Sequence, residues 1–194
     1  FKSQYRNEEN RRFEYFIFRF ETKKGAFGPR YGILAEISLD FYHCMTAKHV
    51  SEELKKASDK GKSIILARFF KTGPGEYGEG DRFLGVTVPK QRIIAKKYQN
   101  LPLREVEKLL ISPWHEHRLT GLLILAYRFS VSEMAQKKEI FDFYLAHMTQ
   151  INNWDLVDAT APGIVGAYLV ESGSDIGLLR HLARSSSLWE RRIV

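Results

Sequence analysis

The sequence has little cysteine and no long apolar run. Cys44 is the single cysteine in 194 residues, which excludes an internal disulfide framework and indicates a reducing compartment. The longest stretches without Asp, Glu, Lys or Arg, such as residues 159–170, span about a dozen residues, whereas a membrane helix needs about 20. Lysine and arginine also interrupt the apolar stretches at the N-terminus, so no signal peptide is expected. We therefore expect a cytoplasmic protein that does not use a membrane.

Acidic residues are fewer than basic ones. The chain has 23 Asp and Glu against 30 Lys and Arg, for a formal net charge of +7 and a pI of about 9.4. Hydrophobic residues make up 44% of the chain and charged residues 27%, which is typical of a globular domain and not of a disordered or fibrous protein. The positive charge favours a polyanionic partner such as nucleic acid.

The spacing of apolar residues along the sequence changes near Met45. Residues 1–44 contain two aromatic-rich runs, 13–20 and 31–37, on either side of a glycine-containing turn, which predicts a β-hairpin. An alternative is that Met45 is the natural start and that the preceding residues are upstream or non-native sequence. We therefore divide the chain into an N-terminal extension of uncertain origin, residues 1–44, and a domain of residues 45–194.

The domain has helical periodicity throughout. Ser51 is the predicted N-cap of a first helix, and Asn153 is the predicted N-cap of a helix that starts at Trp154. Helices are also predicted after Pro89 and Pro102, since proline is tolerated in the first turn. Beyond the first helix, the predicted ranges are 62–71, 90–98, 103–110, 114–129, 133–148, 154–170, 175–183 and 187–194, with a bend or break near Pro162. Helix pairs recur every 35 to 45 residues or so, the spacing of HEAT-like repeats. The predicted fold is an all-α, HEAT-like α-solenoid. Because the chain stops within a helix, we expect the solenoid to be truncated at its C-terminus.

Two motifs match cofactor-binding patterns but lack the structural context that such sites require. Residues 73–78 match the G-x-G-x-x-G pattern of dinucleotide-binding loops, but a predicted helix precedes them where a strand is required, and nearby acidic residues would repel a pyrophosphate. His115 and His117 are two residues apart and point about 200° apart on a helix, whereas zinc sites of this kind need histidines four apart. We expect neither a metal nor another cofactor.

Two aromatic residues stand near charged residues at helical spacing. Trp154 and Asp158 project from one helix face, with Asp155 near its edge. They form either a functional aromatic–carboxylate face or a core tryptophan with aspartates favoured by the helix dipole. Trp189 and Arg192 make a similar pair, which is either a phosphate-binding element or a core residue with a solvated charge.

Several motifs occur in an order that resembles one family. These are residues 69–81 (FFKTGPGEYGEGD), residues 83–89 (FLGVTVP), His115-Glu116-x-Arg118, Asn153-Trp154-Asp155-x-x-Asp158 and Leu188-Trp189-Glu190-Arg191-Arg192. They resemble the DNA alkylation repair (AlkD-like) glycosylases over about residues 51–194. The resemblance does not extend to residues 1–44.

The resemblance implies a monomeric HEAT-like solenoid whose basic channel holds duplex DNA that contains alkylated purines. It also implies that N3- and N7-alkylated purines are removed by hydrolysis of the N-glycosidic bond, without a cofactor. By position, Asp158 is the implied catalytic carboxylate, Trp154 the aromatic residue near the lesion, and Arg192 a phosphate-contacting cation needed for activity. The other implied DNA contacts are Phe69, which stands where some members have tyrosine, Asn153, Trp189 and Arg191.

Two other functions are also compatible with the sequence. A non-catalytic HEAT-repeat scaffold would bind duplex DNA in a salt-dependent manner without releasing bases. A protein-binding solenoid would have no affinity for DNA at moderate salt. Both are compatible with the helical pattern, because fold alone does not specify function.

Overall fold

The computed structural model describes residues 45–173 and 176–194, so the predicted N-terminal hairpin lies outside the described residues. The described part is helical and contains no strand, only an isolated bridge between Arg82 and Trp114. This confirms the all-α class, while the solenoid arrangement stays a prediction. No helix in this part is long and apolar enough to cross a membrane.

Ten α-helices are found in the described residues, and two irregular turns accompany them. The helices are α1 (Ala47–Lys56), α2 (Lys60–Phe69), α3 (Val88–Lys97), α4 (Leu103–Leu110), α5 (His115–Ser130), α6 (Met134–Ala146), α7 (Trp154–Asp158), α8 (Ala167–Ser172), α9 (Gly177–Leu182) and α10 (Leu188–Ile193). A 3-10 turn (Met148–Gln150) precedes α7, and a π-helical turn (Pro162–Gly166) separates α7 from α8. The break predicted near Pro162 is therefore confirmed.

The predicted cap of the first helix is wrong. Helix α1 begins at Ala47, and Thr46 is its N-cap, with the Thr46 backbone N–H donating to Nδ1 of His49. Ser51 lies inside the helix, where its hydroxyl donates to the carbonyl of Ala47 at 2.9 Å. A serine can satisfy its hydroxyl in this way within a helix, so its presence alone does not mark a helix start.

Helix α5 is the centre of the core. It is buried along most of its length and packs against α1, α3, α4, α6 and α7. Gly121 allows the close approach of α4, because a Cβ at this position would lie 3.1 Å from a methyl carbon of Leu110 and 3.2 Å from Cβ of Leu109. The position of α5 places its N-terminal residues, beginning at His115, between the loop that precedes α3 and helix α7.

Helix α2 differs from its neighbours because none of its residues is buried. Ile64, Ile65 and Phe69 are 58%, 66% and 60% exposed. The helix is anchored at its N-terminus, where Asp59 caps it and also donates its backbone N–H to the carbonyl of Leu84 at 3.0 Å. Helix α2 therefore stands away from the core and leaves a cavity beside α3, α5 and α7.

Candidate active site

The cavity beside α2 has a volume of about 630 Å³. Its lining is mostly apolar and includes the aromatic side chains of Phe69, Phe70 and Trp154. Asp155 and Asp158, from α7, also line it. A concave apolar site with a few polar groups is the usual form of a ligand-binding or active site. The predicted placement of Trp154, Asp155 and Asp158 towards one side of the helix is confirmed by their shared cavity.

Asn153 sets the start of α7. Its side-chain oxygen accepts a hydrogen bond from the backbone N–H of Trp154 at 2.8 Å, which confirms the predicted N-cap. The residue is 0% exposed, so the structure leaves no surface for the DNA contact that the resemblance implied. The function of Asn153 in this structure is to fix the first turn of α7 and thus the direction of Trp154.

Aromatic rings form one wall of the cavity. Trp154 stacks on Phe70, with ring centroids 5.5 Å apart and an interplanar angle of 24°, and its ring meets Phe69 edge-on at 6.0 Å. Phe70 is buried and also stacks on Phe83 at 5.1 Å. Trp154 is thus partly a core residue and partly a cavity residue, while Phe69 stays largely exposed at the edge.

Asp158 and Arg192 form a two-point ion pair. Arg192 donates from Nε to Oδ1 of Asp158 at 2.7 Å and from Nη2 to Oδ2 at 2.8 Å. These hydrogen bonds hold the pKa of Asp158 below its ordinary value, and they outweigh the small opposing effect of burial. Asp158 is therefore a carboxylate at neutral pH. The pair is about half exposed, so solvent and other ligands can reach it.

A buried network of charges lies behind the cavity. His115 contacts Oδ2 of Asp81 through Nδ1 at 3.0 Å and Oδ2 of Asp155 through Nε2 at 2.8 Å. Arg118 donates to the other oxygen of Asp81 at 2.6 Å. Burial lowers the pKa of His115, but the hydrogen bonds to Asp155 and Asp81 exceed that effect and raise it overall. The protonated ring can then donate to both carboxylates, which ties α5 to α7 and to the loop at Asp81.

Glu116, in the His115-Glu116-x-Arg118 motif, binds backbone N–H groups and not another charged side chain. Its carboxylate accepts hydrogen bonds from the backbone N–H groups of Leu84 at 2.9 Å, Gly85 at 2.8 Å and Val86 at 3.2 Å. Arg118 adds a hydrogen bond to the carbonyl of Ser112 at 2.9 Å. The His115-Glu116-x-Arg118 motif therefore holds the loop before α3 in place, and with it the floor of the cavity.

The sequence patterns predicted neither the buried contacts of Asp81 nor the contact between His115 and Asp155. The sequence nevertheless contained a signal that these charged side chains have partners. Buried charges are stable only with partners, and residues 115–118 put three ionisable side chains at the start of an otherwise apolar helix. That pattern predicts acidic and backbone partners elsewhere in the chain, although it does not say which residues they are.

Nearby acidic side chains accept hydrogen bonds from the backbone N–H groups of the loop at residues 73–78. Its predicted position after a helix is confirmed, because it follows α2. The carboxylate of Glu76 accepts the N–H of Gly73 at 2.8 Å, and that of Glu79 accepts the N–H of Gly75 at 2.9 Å. Acidic side chains therefore occupy donors that a phosphate-binding loop would offer to its ligand.

Helix α10 carries the remaining predicted site residues. Trp189 is partly buried and meets the ring of Tyr77 edge-on, with centroids 5.8 Å apart. Arg191 donates to the carbonyls of Ser185 at 2.6 Å and Ser186 at 2.9 Å. Neither residue lines the cavity. The structure thus brings together Phe69, Trp154 and Asp158, joins Arg192 to them through Asp158, and leaves Trp189 and Arg191 beside this group.

Comparison with known proteins agrees with the motifs. The family model described as DNA alkylation repair enzyme matches residues 50–194, which is most of the chain and includes every site residue described above. No curated protein and no solved structure matches the chain. The description of the family indicates a role in alkylation repair and makes DNA the substrate. The chain therefore belongs to the DNA alkylation repair enzyme family.

Proposed function

We propose that this protein is a DNA glycosylase that removes N3- and N7-alkylated purines from duplex DNA by hydrolysing the N-glycosidic bond. The observation that carries the proposal is the position of Asp158, an ionised carboxylate next to Trp154 on the cavity wall. The helices pack mainly with near neighbours in the chain, which supports a HEAT-like arrangement that presents this cavity to DNA.

The chemistry requires little more than a well-placed negative charge. An alkylated purine is cationic and is already a good leaving group, so the enzyme must mainly stabilise an oxocarbenium-like sugar and orient a water molecule. A carboxylate serves both purposes when it lies next to the anomeric carbon. Asp158 is ionised and half exposed, so it is able to approach the sugar of a bound nucleotide.

Arg192 connects this carboxylate to the DNA backbone in the proposed mechanism. Its Nε and Nη2 donate to Asp158, while Nη1 is not engaged in the described hydrogen bonds. Guanidinium groups bind phosphate through such donors. A phosphate held by Nη1 would place the neighbouring sugar near Asp158 without breaking the ion pair.

A second candidate function is a DNA-binding scaffold without catalysis. The same ion pair favours it, because a guanidinium that neutralises Asp158 reduces the carboxylate's ability to stabilise a cationic sugar. Enzyme and scaffold differ in one measurable respect. Both bind duplex DNA, but only the enzyme releases free base.

The test is an assay of base release. Methylated duplex DNA is incubated with the protein, and free 3-methyladenine and 7-methylguanine are separated by chromatography and quantified. We expect release by the wild type and a loss of about 10²- to 10³-fold in Asp158→Asn, the usual effect of removing one electrostatic stabiliser of a transition state. DNA binding without base release by the wild type would favour the scaffold.

Asp142→Asn is the matched control. Asp142 is also about half exposed and is paired with a cation, Lys138, on α6. It does not line the cavity. The control should release base at the wild-type rate, and equal rates in Asp158→Asn and Asp142→Asn would contradict the role proposed for Asp158.

A further inference from the structure

We propose that the groove between α1 and α3 is a second contact for the backbone of duplex DNA, separate from the cavity beside α2. This inference rests on the proposed function and goes beyond it, because the proposed mechanism requires only one phosphate contact, at Arg192. The groove is lined by Lys56 and Lys90, and its ligand is the row of phosphates that flanks the damaged nucleotide.

The positive charge of the domain is concentrated in the part that contains α1, α2 and α3. Residues 45–100 have twelve Lys and Arg against six Asp and Glu, whereas residues 101–194 have ten against eleven. Helices α7 and α10, which carry Asp158 and Arg192, therefore belong to a part of the chain with almost no net charge. Duplex DNA carries one negative charge per about 1.7 Å of its axis, so the chain attracts it mainly through residues 45–100.

The groove between α1 and α3 is open and has a volume of about 370 Å³. Lys56 from α1 and Lys90 from α3 line it, and both side chains are exposed. Glu53 also lines it, but its Oε1 accepts hydrogen bonds from the amine of Lys97 and, at 3.0 Å, from the hydroxyl of Tyr98. Within the described part of the chain, neither Lys56 nor Lys90 has an ion-pair partner. Both charges are therefore available to an anion.

Helix α3 separates this groove from the cavity beside α2. Val88 and Pro89 line the cavity, whereas Lys90 and Ile93 line the groove. An α-helix with its side chains is about 10–12 Å across. Phosphates of one DNA strand follow each other every 3.4 Å or so along the axis, so this width corresponds to about three or four nucleotides. A duplex that lies over the cavity can therefore bring flanking phosphates to the groove.

An acidic protein segment is the alternative occupant of the groove. Ile93 is 72% exposed, and apolar side chains of a protein could cover it. Duplex DNA is favoured by continuity, because DNA is the substrate of the family and the proposed reaction places it over the cavity on the other side of α3. The deoxyribose groups of the backbone can cover Ile93 as well.

Removal of both lysines tests the charge of the groove. The probe is a duplex of about two helical turns, some 20 base pairs, with a tetrahydrofuran abasic-site analogue at its centre. Its binding to the full chain is measured by fluorescence anisotropy at several salt concentrations. In the double variant Lys56→Gln and Lys90→Gln, affinity should fall, and the slope of log affinity against log salt concentration should decrease by about two. A slope equal to that of the wild type would overturn the inference and leave the groove to another partner.

The combination of Arg104→Gln and Lys138→Gln is the matched control. Both residues are exposed cations, on α4 and α6, and neither lines the groove or the cavity. The control removes the same amount of charge and should keep the salt dependence of the wild type. The same decrease in both double variants would show that net charge alone governs binding, and the assignment to the groove would then be wrong.

Uncharged backbone positions test where the phosphates lie. A methylphosphonate linkage removes one phosphate charge and leaves the rest of the duplex unchanged. It is placed about three or four nucleotides from the abasic analogue, on each strand and each side in turn. At one of these positions it should weaken binding by the wild type and have no effect on the double lysine variant. Equal effects on the two proteins at every position would contradict a contact between the lysines and these phosphates.

The base-release assay separates this inference from the proposed function. A decrease in salt slope that is specific to the lysine variant, without release of base by the wild type, would count against the glycosylase and leave the second backbone contact intact. Base release that depends on Asp158, together with wild-type DNA binding by the double lysine variant, would support the glycosylase and refute the contact.

Discussion

Arg192 holds Asp158 through two hydrogen bonds of 2.7 and 2.8 Å that join α10 to α7. Both side chains are about half exposed, and exposed ion pairs contribute only about 0–1 kcal/mol to stability. The pair therefore matters mainly for the charge state and the direction of the carboxylate. It also brings a cation from the last described helix to the cavity formed by the earlier ones.

Replacement of Arg192 by glutamine should change both the carboxylate and DNA binding. In Arg192→Gln the pKa of Asp158 should rise towards its ordinary value, because the hydrogen bonds that lower it are lost. If Arg192 contacts a phosphate, affinity for duplex DNA should fall, and the slope of log affinity against log salt concentration should decrease by about one. Carboxyl NMR titration and fluorescence anisotropy at several salt concentrations measure the two effects.

Arg191→Gln is the control for the carboxylate. Arg191 lies next to Arg192 on α10, but it donates to the carbonyls of Ser185 and Ser186 and makes no described contact with Asp158. The titration of Asp158 should be the same in this variant as in the wild type. An unaltered Asp158 titration in Arg192→Gln would contradict the ion pair.

Loss of the buried histidine should destabilise the fold in a pH-dependent way. His115→Gln removes the cation between Asp81 and Asp155, and loss of one member of a buried charge network typically costs about 3–5 kcal/mol. The pKa of His115 is raised in the folded state, so its contribution is complete below its ordinary value of about 6.5 and is lost as pH rises through the folded pKa. Urea unfolding between pH 6 and 9 should show the stability difference from the wild type decreasing.

His181→Gln provides the comparison for that experiment. His181 is exposed on α9, and its replacement should change the free energy of unfolding by less than about 0.5 kcal/mol. A stability difference for His115→Gln that stays constant with pH, or that grows as pH rises, would contradict a protonated His115 between two carboxylates.

Gly85 should be needed to keep α2 in place. It has φ +84, and an added Cβ would lie 2.0 Å from the carbonyl oxygen of Asp59, the N-cap of α2. Gly75 also has a positive φ, of +75, but nothing lies within 4 Å of its Cβ position. Both alanine variants incur backbone strain of about 1–2 kcal/mol, whereas only Gly85→Ala must also displace α2.

Hydrogen exchange and thermal unfolding measure this difference. Gly85→Ala should lose more stability than Gly75→Ala and should show faster amide exchange in α2. It should also slow base release from methylated DNA, since α2 supplies one wall of the cavity. The same stability loss and the same exchange rates in the two variants would show that the contact between Gly85 and Asp59 does not position the helix.

Helix positions were largely predictable because their signals are local. Apolar periodicity, proline at helix starts and the Asn153 cap act over a few residues, and they predicted most of the described helices. The cap of α1 was the exception, since Ser51 and Thr46 are both suitable capping residues. In the structure the cap is Thr46, whose N–H donates to His49, and the next residue, Ala47, donates its N–H to Glu105 at 2.9 Å. The order of the motifs likewise predicted the family, which the match over residues 50–194 confirms.

By itself, then, the sequence determined the all-α class, the family and the shared face of Trp154 and Asp158. Only the tertiary structure decided that Arg192 pairs with Asp158, that His115 joins Asp81 to Asp155, and that Asn153 is buried. These contacts join residues some 34 to 40 positions apart, so no short-range pattern encodes them. The cavity depends in the same way on how far α2 stands from the core, a distance set by packing between helices and not by any one of them.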